Sequence, residues 1–286
     1  MPYLAFVIPV CVAATGFLFA YGFALFWLRK QRQWPRKSAL TKDLMRPPGH
    51  SLRVKLAERN DELMIQIALM MCLPLVVYSV YISQSYLAKE PETVLRLVVA
   101  IVATVGASIF QGRKLLSVVG ELKQLALGLE GELATGEELN QLLLEGCRVF
   151  HDIPFPYGNI DHVVVSSSGV FCVNTKMVTK PKSGGAEVTA DQTHGTLQFP
   201  NHKMTINTKQ FEAEKTWLSQ QLSSSVGRPI EVEPILALPG WFVKREGRGP
   251  VYVINPSKPT RFFVHSRQIH VRRGNCQASA FARQTS

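Results

Sequence analysis

The sequence contains no CxxC pair: its five cysteines, Cys11, Cys72, Cys147, Cys172 and Cys276, stand far apart along 286 residues. That spacing suggests neither a zinc ribbon nor a disulfide framework, and a reducing compartment suits the soluble part. Charge is also scarce. Only 19% of residues are charged and 46% are hydrophobic, too apolar a balance for a wholly soluble chain. Acids are outnumbered by bases, 21 to 32, leaving a net charge of +11. Such an excess suits nucleic acid, anionic lipid or a topology signal, and charge alone does not choose among them. No internal repeat is visible, which excludes a repeat architecture.

The run Tyr3 to Leu28 lacks any charged residue. At about 1.5 Å per residue it exceeds a bilayer core of about 30 Å. A cleaved signal peptide is disfavoured, because the run is long and its basic cluster "RKQRQWPRK" follows it. Leu63 to Tyr86 and Val94 to Phe110 are further apolar runs, with Arg96 able to snorkel. About three spans are therefore expected, at 3–28, 63–86 and 94–110. Arg29 to Lys37, and Arg113 with Lys114, place both flanks in the cytoplasm by the positive-inside rule. The N-terminus is then outside, 29–62 is a cytoplasmic loop, and everything after about Gln111 is inside.

Residues 112–286 hold 20 Lys and Arg against 15 Asp and Glu, a modest excess that permits phosphate contacts. Leucines at helical spacing over Leu115 to Cys147 predict two helices divided at Gly128, Gly131 and Gly136. "RVFHDIPFP" leads into a loop, and "IDHVVVSS" and "GVFCVNTK" are strands around a Ser/Gly turn. Short strands are expected at "AEVTA" and "GTLQF", a helix at "TKQFEAEKTWLSQQL", and strands at "VEPILALP" and "PVYVIN". This order predicts a compact α/β domain over 112–273, between a membrane region at 1–111 and a disordered tail at 274–286. "GWFVKR" sets Trp241 and Phe242 beside charge, as a single-strand platform or a solvated loop.

Strand alternation puts Val170, Cys172, Asn174 and Lys176 on one face, and Phe171, Val173 and Thr175 on the other. Asp161 opens the neighbouring strand, and antiparallel pairing brings it to the same edge. An acid, then acid-x-Lys at a strand end, holds Mg²⁺ beside a scissile phosphate: carboxylates bind the hard cation, the metal activates water, and lysine offsets charge. Asn174 stands where the second acid belongs. Cys147 and Cys172 read as packing residues, and His162 as a strand histidine.

"LEGELATGEELNQLL", "FHDIPFPYGNIDHVVVSSSGVFCVNTK" and "NTKQFEAEKTWLSQQL" together resemble the nuclease-related domain, NERD, of the PD-(D/E)xK nuclease-like superfamily, over about 118–240. The resemblance implies a restriction-endonuclease-like core, a mixed sheet flanked by helices, preceded by the membrane helices. It implies catalytic positions at Glu132 (after Gly131), Asp161, Asn174, Lys176 and Gln210. It also implies Mg²⁺ or Mn²⁺ held by Glu132, Asp161, the Asn174 amide and the Thr175 carbonyl, weakened where Asn174 replaces the usual acid. Two functions follow: a membrane-anchored, metal-dependent phosphodiesterase acting on DNA or RNA, or a degenerate fold that binds nucleic acid or protein without cutting. Its partner is the lipid bilayer, and the setting is the inner membrane of a bacterium.

Overall fold

A computed structural model describes residues 45–87, 94–181 and 185–264, with residues 22, 23, 26, 27 and 30. The chain forms two compact units, Met1–Asp43 with Ala57–Lys123, and Leu44–Leu56 with Gln124–Ser286. The first expected span lies mostly outside the described residues, as does the expected tail at 274–286.

The first unit holds most of α1 (His50–Leu87) and of α2 (Val94–Asn140), and the second unit holds the start of α1 and the end of α2. Both helices are long and apolar enough to cross a membrane. Met64, Met71, Leu75 and Tyr78 of α1, and Val94, Val102, Ile109 and Phe110 of α2, are exposed. Water disfavours such a surface and lipid accepts it. Pro74 stays inside α1, as spanning helices tolerate. Gln111 donates its side-chain N–H to the buried Gln66, satisfying a polar pair between the helices. The apolar stretch of α2 ends at Phe110. A 47-residue helix runs about 70 Å, longer than a bilayer core of about 30 Å needs.

Two expectations change here. Helix α1 starts at His50, well before Leu63, and α2 continues unbroken through Gly128, Gly131 and Gly136. These glycines are places of close approach. A Cβ on Gly131 would lie 2.6 Å from Met177 Cβ, and one on Gly136 would lie 2.5 Å from Pro48 Cγ. Glycine's cost in a helix, about 1 kcal/mol, is offset by the packing that its missing side chain permits.

The second unit is built on two sheets flanked by helices, both mixing parallel and antiparallel pairs. The first has the order β1 (Arg148–Phe155), β2 (Gly158–Ser166), β3 (Gly169–Thr175), β7 (Val232–Ala237), β9 (Tyr252–Ile254). Its first three strands are antiparallel, and β7 and β9 add in parallel. The second has the order β6 (Lys203–Thr205), β5 (Thr196–Gln198), β4 (Glu187–Asp191), β8 (Phe242–Glu246). "RVFHDIPF" is thus strand, not loop approach: Pro154 is tolerated because β1 is at the sheet's edge.

Alternation along β3 divides the core. Phe171 and Val173 pack with Leu139, Leu142 and Ile235 on one face, beside the 3₁₀ turn Gln141–Glu145 and α4 (Pro259–Phe263). Cys172 packs on the other with Ile160, Val163 and Leu218 of α3 (Thr208–Val226). A third cluster, around Phe199, Phe211, Trp241 and Val253, joins the second sheet to α3 and β9. Trp241 is buried and donates its indole N–H to the Val178 carbonyl, 3.0 Å away, so it is a core residue and no stacking platform.

Candidate functional site

The β2–β3 ladder runs from Ser166↔Gly169 to His162↔Val173. One residue further on, side chains take over the backbone partners. The Thr175 N–H donates to Asp161 Oδ2 at 2.7 Å, and the Asp161 N–H donates to Asn174 Oδ1 at 3.4 Å. Asp161, Asn174 and Thr175 thereby meet at the strand ends. Lys176 follows with its backbone N–H on Ala237 and its side chain exposed.

Asn174 is buried, and its side-chain amide donates to Glu214 Oε2. Glu214 is a glutamate of α3 with no exposed surface. Gln210, one turn earlier, donates to Glu214 Oε1 at 2.8 Å, and the Cys172 thiol lies 3.8 Å from Oε2. Burial pushes the Glu214 carboxyl upward in pKa, against the hydrogen bonds from Gln210, Asn174 and Cys172. Gln210 thus reaches the strand site through Glu214. The Asn207 side chain caps α3 by accepting the Gln210 N–H.

Glu132 approaches from α2. It is 6% exposed, and its Oε2 has no hydrogen-bond partner. Burial, then the negative charge of Asp152, raises its pKa to about 7, against Lys55 and the Gly49 amide. Thr135, one turn on, holds a second buried oxygen without a partner. Asp161 is raised well above the carboxylate range by burial first and then by Glu132, with Glu214 and Asp152 adding and the Thr175 amide opposing. Four carboxylates therefore share one electrostatic neighbourhood.

Asp152 lies between the paired residues His151 and Ile153 of β1, with a φ of 50° that non-glycine residues seldom adopt. It is fully buried and accepts from Arg46 Nη1 at 3.1 Å, the Ser51 N–H at 3.1 Å, the Ser51 hydroxyl at 2.9 Å and Asn159 Nδ2 at 3.1 Å. It acts as a clamp that ties the first turn of α1, and Arg46 before it, to the sheet. His162 is buried between His151 Nδ1, 2.8 Å from its own Nδ1, and the Thr175 hydroxyl, 3.3 Å from Nε2.

A groove of about 600 Å³ opens beside this site, lined by Lys55, Lys209, Gln210, Phe155, Tyr157 and Asn159 among others. It combines two ammonium groups, two aromatic rings and amides. By contrast, the basic "FVKREGRG" is partly engaged with its own fold: Lys244 meets Glu246 at 3.6 Å, and Arg245 lies 4.9 Å over the Tyr252 ring. "HSRQIHVRR" lies outside the described residues.

The structure brings Asp161, Asn174 and Thr175 into direct contact and links Gln210 to them through Glu214. Glu132 joins electrostatically, and Lys176 flanks the strand end. Among the described residues, no group of three His, Cys, Asp or Glu side chains is placed to hold a metal ion. The carboxylates and the unpartnered Glu132 oxygen are hard donors by chemical type. Sequence reasoning missed Glu214 and Asp152. The signal for Glu214 was present: Phe211, Glu214 and Leu218 are the buried stripe of α3, and an acid in such a stripe is unusual.

The family model described as the nuclease-related domain, NERD, matches residues 127–239. No curated protein and no solved structure matches the chain significantly.

Proposed function

With residues 127–239 forming a nuclease-related domain, we propose that the chain is a membrane-anchored, metal-dependent phosphodiesterase acting on DNA or RNA. The observation that carries this reading is the association of Glu132, Asp161 and the Asn174–Glu214 pair at one end of β2 and β3, with a Glu132 oxygen buried and unpartnered.

Glu132 and Asp161 would hold Mg²⁺ or Mn²⁺, with the Asn174 amide oxygen and the Thr175 carbonyl beside them. A divalent ion in such a site supplies an activated water and charge stabilisation. Lys176, exposed at the strand end, offsets charge on the phosphate. Lys55 and Lys209 in the groove attract the sugar-phosphate strand, and Tyr157, 87% exposed, presents a ring on which a base can stack. The apolar helices anchor the chain, and the basic residues at their ends favour a cytoplasmic catalytic domain in a bacterial inner membrane with the N-terminus outside.

One observation favours the second reading, a fold that binds without cutting. Asp161 is committed to the Thr175 amide, and Asn174 brings no charge. Nicking of supercoiled plasmid by the full-length protein in detergent separates the two. Mg²⁺-dependent nicking that Asp161→Asn abolishes supports the enzyme, since Asn keeps an acceptor for Thr175. Plasmid binding with no nicking in Mg²⁺ or Mn²⁺ supports the binding module.

A further inference from the structure

We propose that Glu214 is a charged ligand of the cation site, supplying from α3 the carboxylate that β3 lacks at Asn174. This rests on the metal-dependent reading above and adds a residue that the acid-x-Lys pattern does not contain.

Glu214 occupies a core position. It lies between Phe211 and Leu218 on the buried face of α3 and has no exposed surface. Its hydrogen-bond donors, Asn174, Gln210 and Cys172, are all neutral, and among the described residues it forms no ion pair. A charged carboxylate buried among neutral donors is costly, and a glutamine would keep only one of the two acceptor oxygens that Asn174 and Gln210 use. A cation beside the pair would offset that cost in the charged form.

The bond to Asn174 fixes where that cation would be. The Asn174 oxygen accepts from the backbone N–H of Asp161, and its amide nitrogen donates to the Glu214 carboxylate, so one side chain ties Glu214 to the strand position that carries Asp161. The Asn174 and Glu214 pair holds the same groups as an acid on the strand facing an amide on the helix, with their places exchanged. Two further hard oxygens lie on α2: Glu132 Oε2 and Thr135 Oγ1 are buried without hydrogen-bond partners, one turn apart. Oxygen donors left unsatisfied beside excess negative charge suit a hard divalent cation. Both lone-pair directions of each Glu214 oxygen need not be spent on amides, because a carboxylate offers about four acceptor sites.

The test is Mn²⁺ titration of the full-length protein in detergent, read by electron paramagnetic resonance of the free ion. Three variants are compared with the wild type: Glu214→Gln, Asp161→Asn, and the exchange Asn174→Asp with Glu214→Gln. The exchange keeps the shape of both side chains and reverses the amide-to-carboxylate hydrogen bond. Glu214→Gln is expected to weaken Mn²⁺ binding at least about tenfold, and the exchange to restore it close to the wild-type value. Wild-type affinity in Glu214→Gln, with affinity lost in Asp161→Asn, would overturn the role of Glu214 and leave the metal-dependent reading standing. Absence of Mn²⁺ binding by the wild type would remove both. If Glu214→Gln does not fold, the exchange variant decides: folded and binding supports the proposal, folded without binding overturns it.

Discussion

The side chain of Asn174 joins two acids that sequence separates by more than fifty residues: its oxygen accepts the Asp161 N–H at 3.4 Å, and its amide donates to the Glu214 carboxylate. An uncharged residue at the usual acid position is thus coupled to a buried acid on the facing helix. Loss of charge at one position does not by itself empty the site of carboxylates.

Gly131→Ala should strain the contact between α2 and the chain after β3. Its Cβ would meet Met177 Cβ at 2.6 Å and the Thr175 methyl at 3.3 Å, so Glu132 must move with the helix. A loss of about 1–3 kcal/mol is expected, as for overpacked cores, together with lower Mg²⁺-dependent cleavage. Denaturant titration and the nicking assay check the two parts.

Asp152→Ala should cost about 3 kcal/mol, because Arg46, Ser51 and Asn159 lose a shared buried acceptor. Asp152→Asn, which retains an acceptor oxygen, should cost less. Unfolding midpoints of the two variants, measured side by side, test this order.

Two groups give stability opposite slopes with pH. Burial, with His151 adding, lowers the His162 pKa from 6.5 to about 3. The unfolded chain then binds more protons between those values, so this contribution is full above pH 6.5 and is lost as pH falls toward 3. Burial and Asp152 raise Glu132 from 4.5 to about 7, so its contribution is full below pH 4.5 and is lost as pH rises through about 7. His162→Gln should flatten the acid limb, and Glu132→Gln should flatten the decline between pH 4.5 and 7. Denaturant midpoints in metal-free buffer across pH 4 to 8 would show both.

The groove makes its own prediction. Tyr157→Ala should weaken binding of a fluorescent single-stranded oligonucleotide by about 1–3 kcal/mol, and Lys209→Gln should lower the salt slope by roughly one. Anisotropy at several salt concentrations reads both; unchanged affinity in Tyr157→Ala would exclude stacking at this ring.

Local periodicity made part of this fold legible. Alternation alone separated Phe171 and Val173 from Cys172 and Asn174, and the structure puts those pairs against different helices. Glycine misled where packing outranks propensity: Gly131 and Gly136 read as helix breaks, yet each lets another segment approach α2. Trp241 looked surface-bound because charge follows it in sequence, but β8 pairs with β4 and its indole is buried under the second sheet's core.

The acids that the sequence did not reveal depend on long-range pairing. Asp152 is defined by Arg46 and Ser51, about a hundred residues away, and by a backbone angle that no local pattern encodes. Glu214 was nearer to being readable, since its spacing from Phe211 and Leu218 already placed it on the apolar stripe. What the spacing lacked was the strand that the stripe faces.

The most direct test of the account is cleavage of a labelled single-stranded oligonucleotide by chelator-treated, full-length protein in detergent, started by adding Mg²⁺. The account predicts that cleavage begins on addition, stops on renewed chelation and is absent from Asp161→Asn. Metal-independent cleavage, equal cleavage by Asp161→Asn, or no cleavage with Mg²⁺ or Mn²⁺ would contradict it.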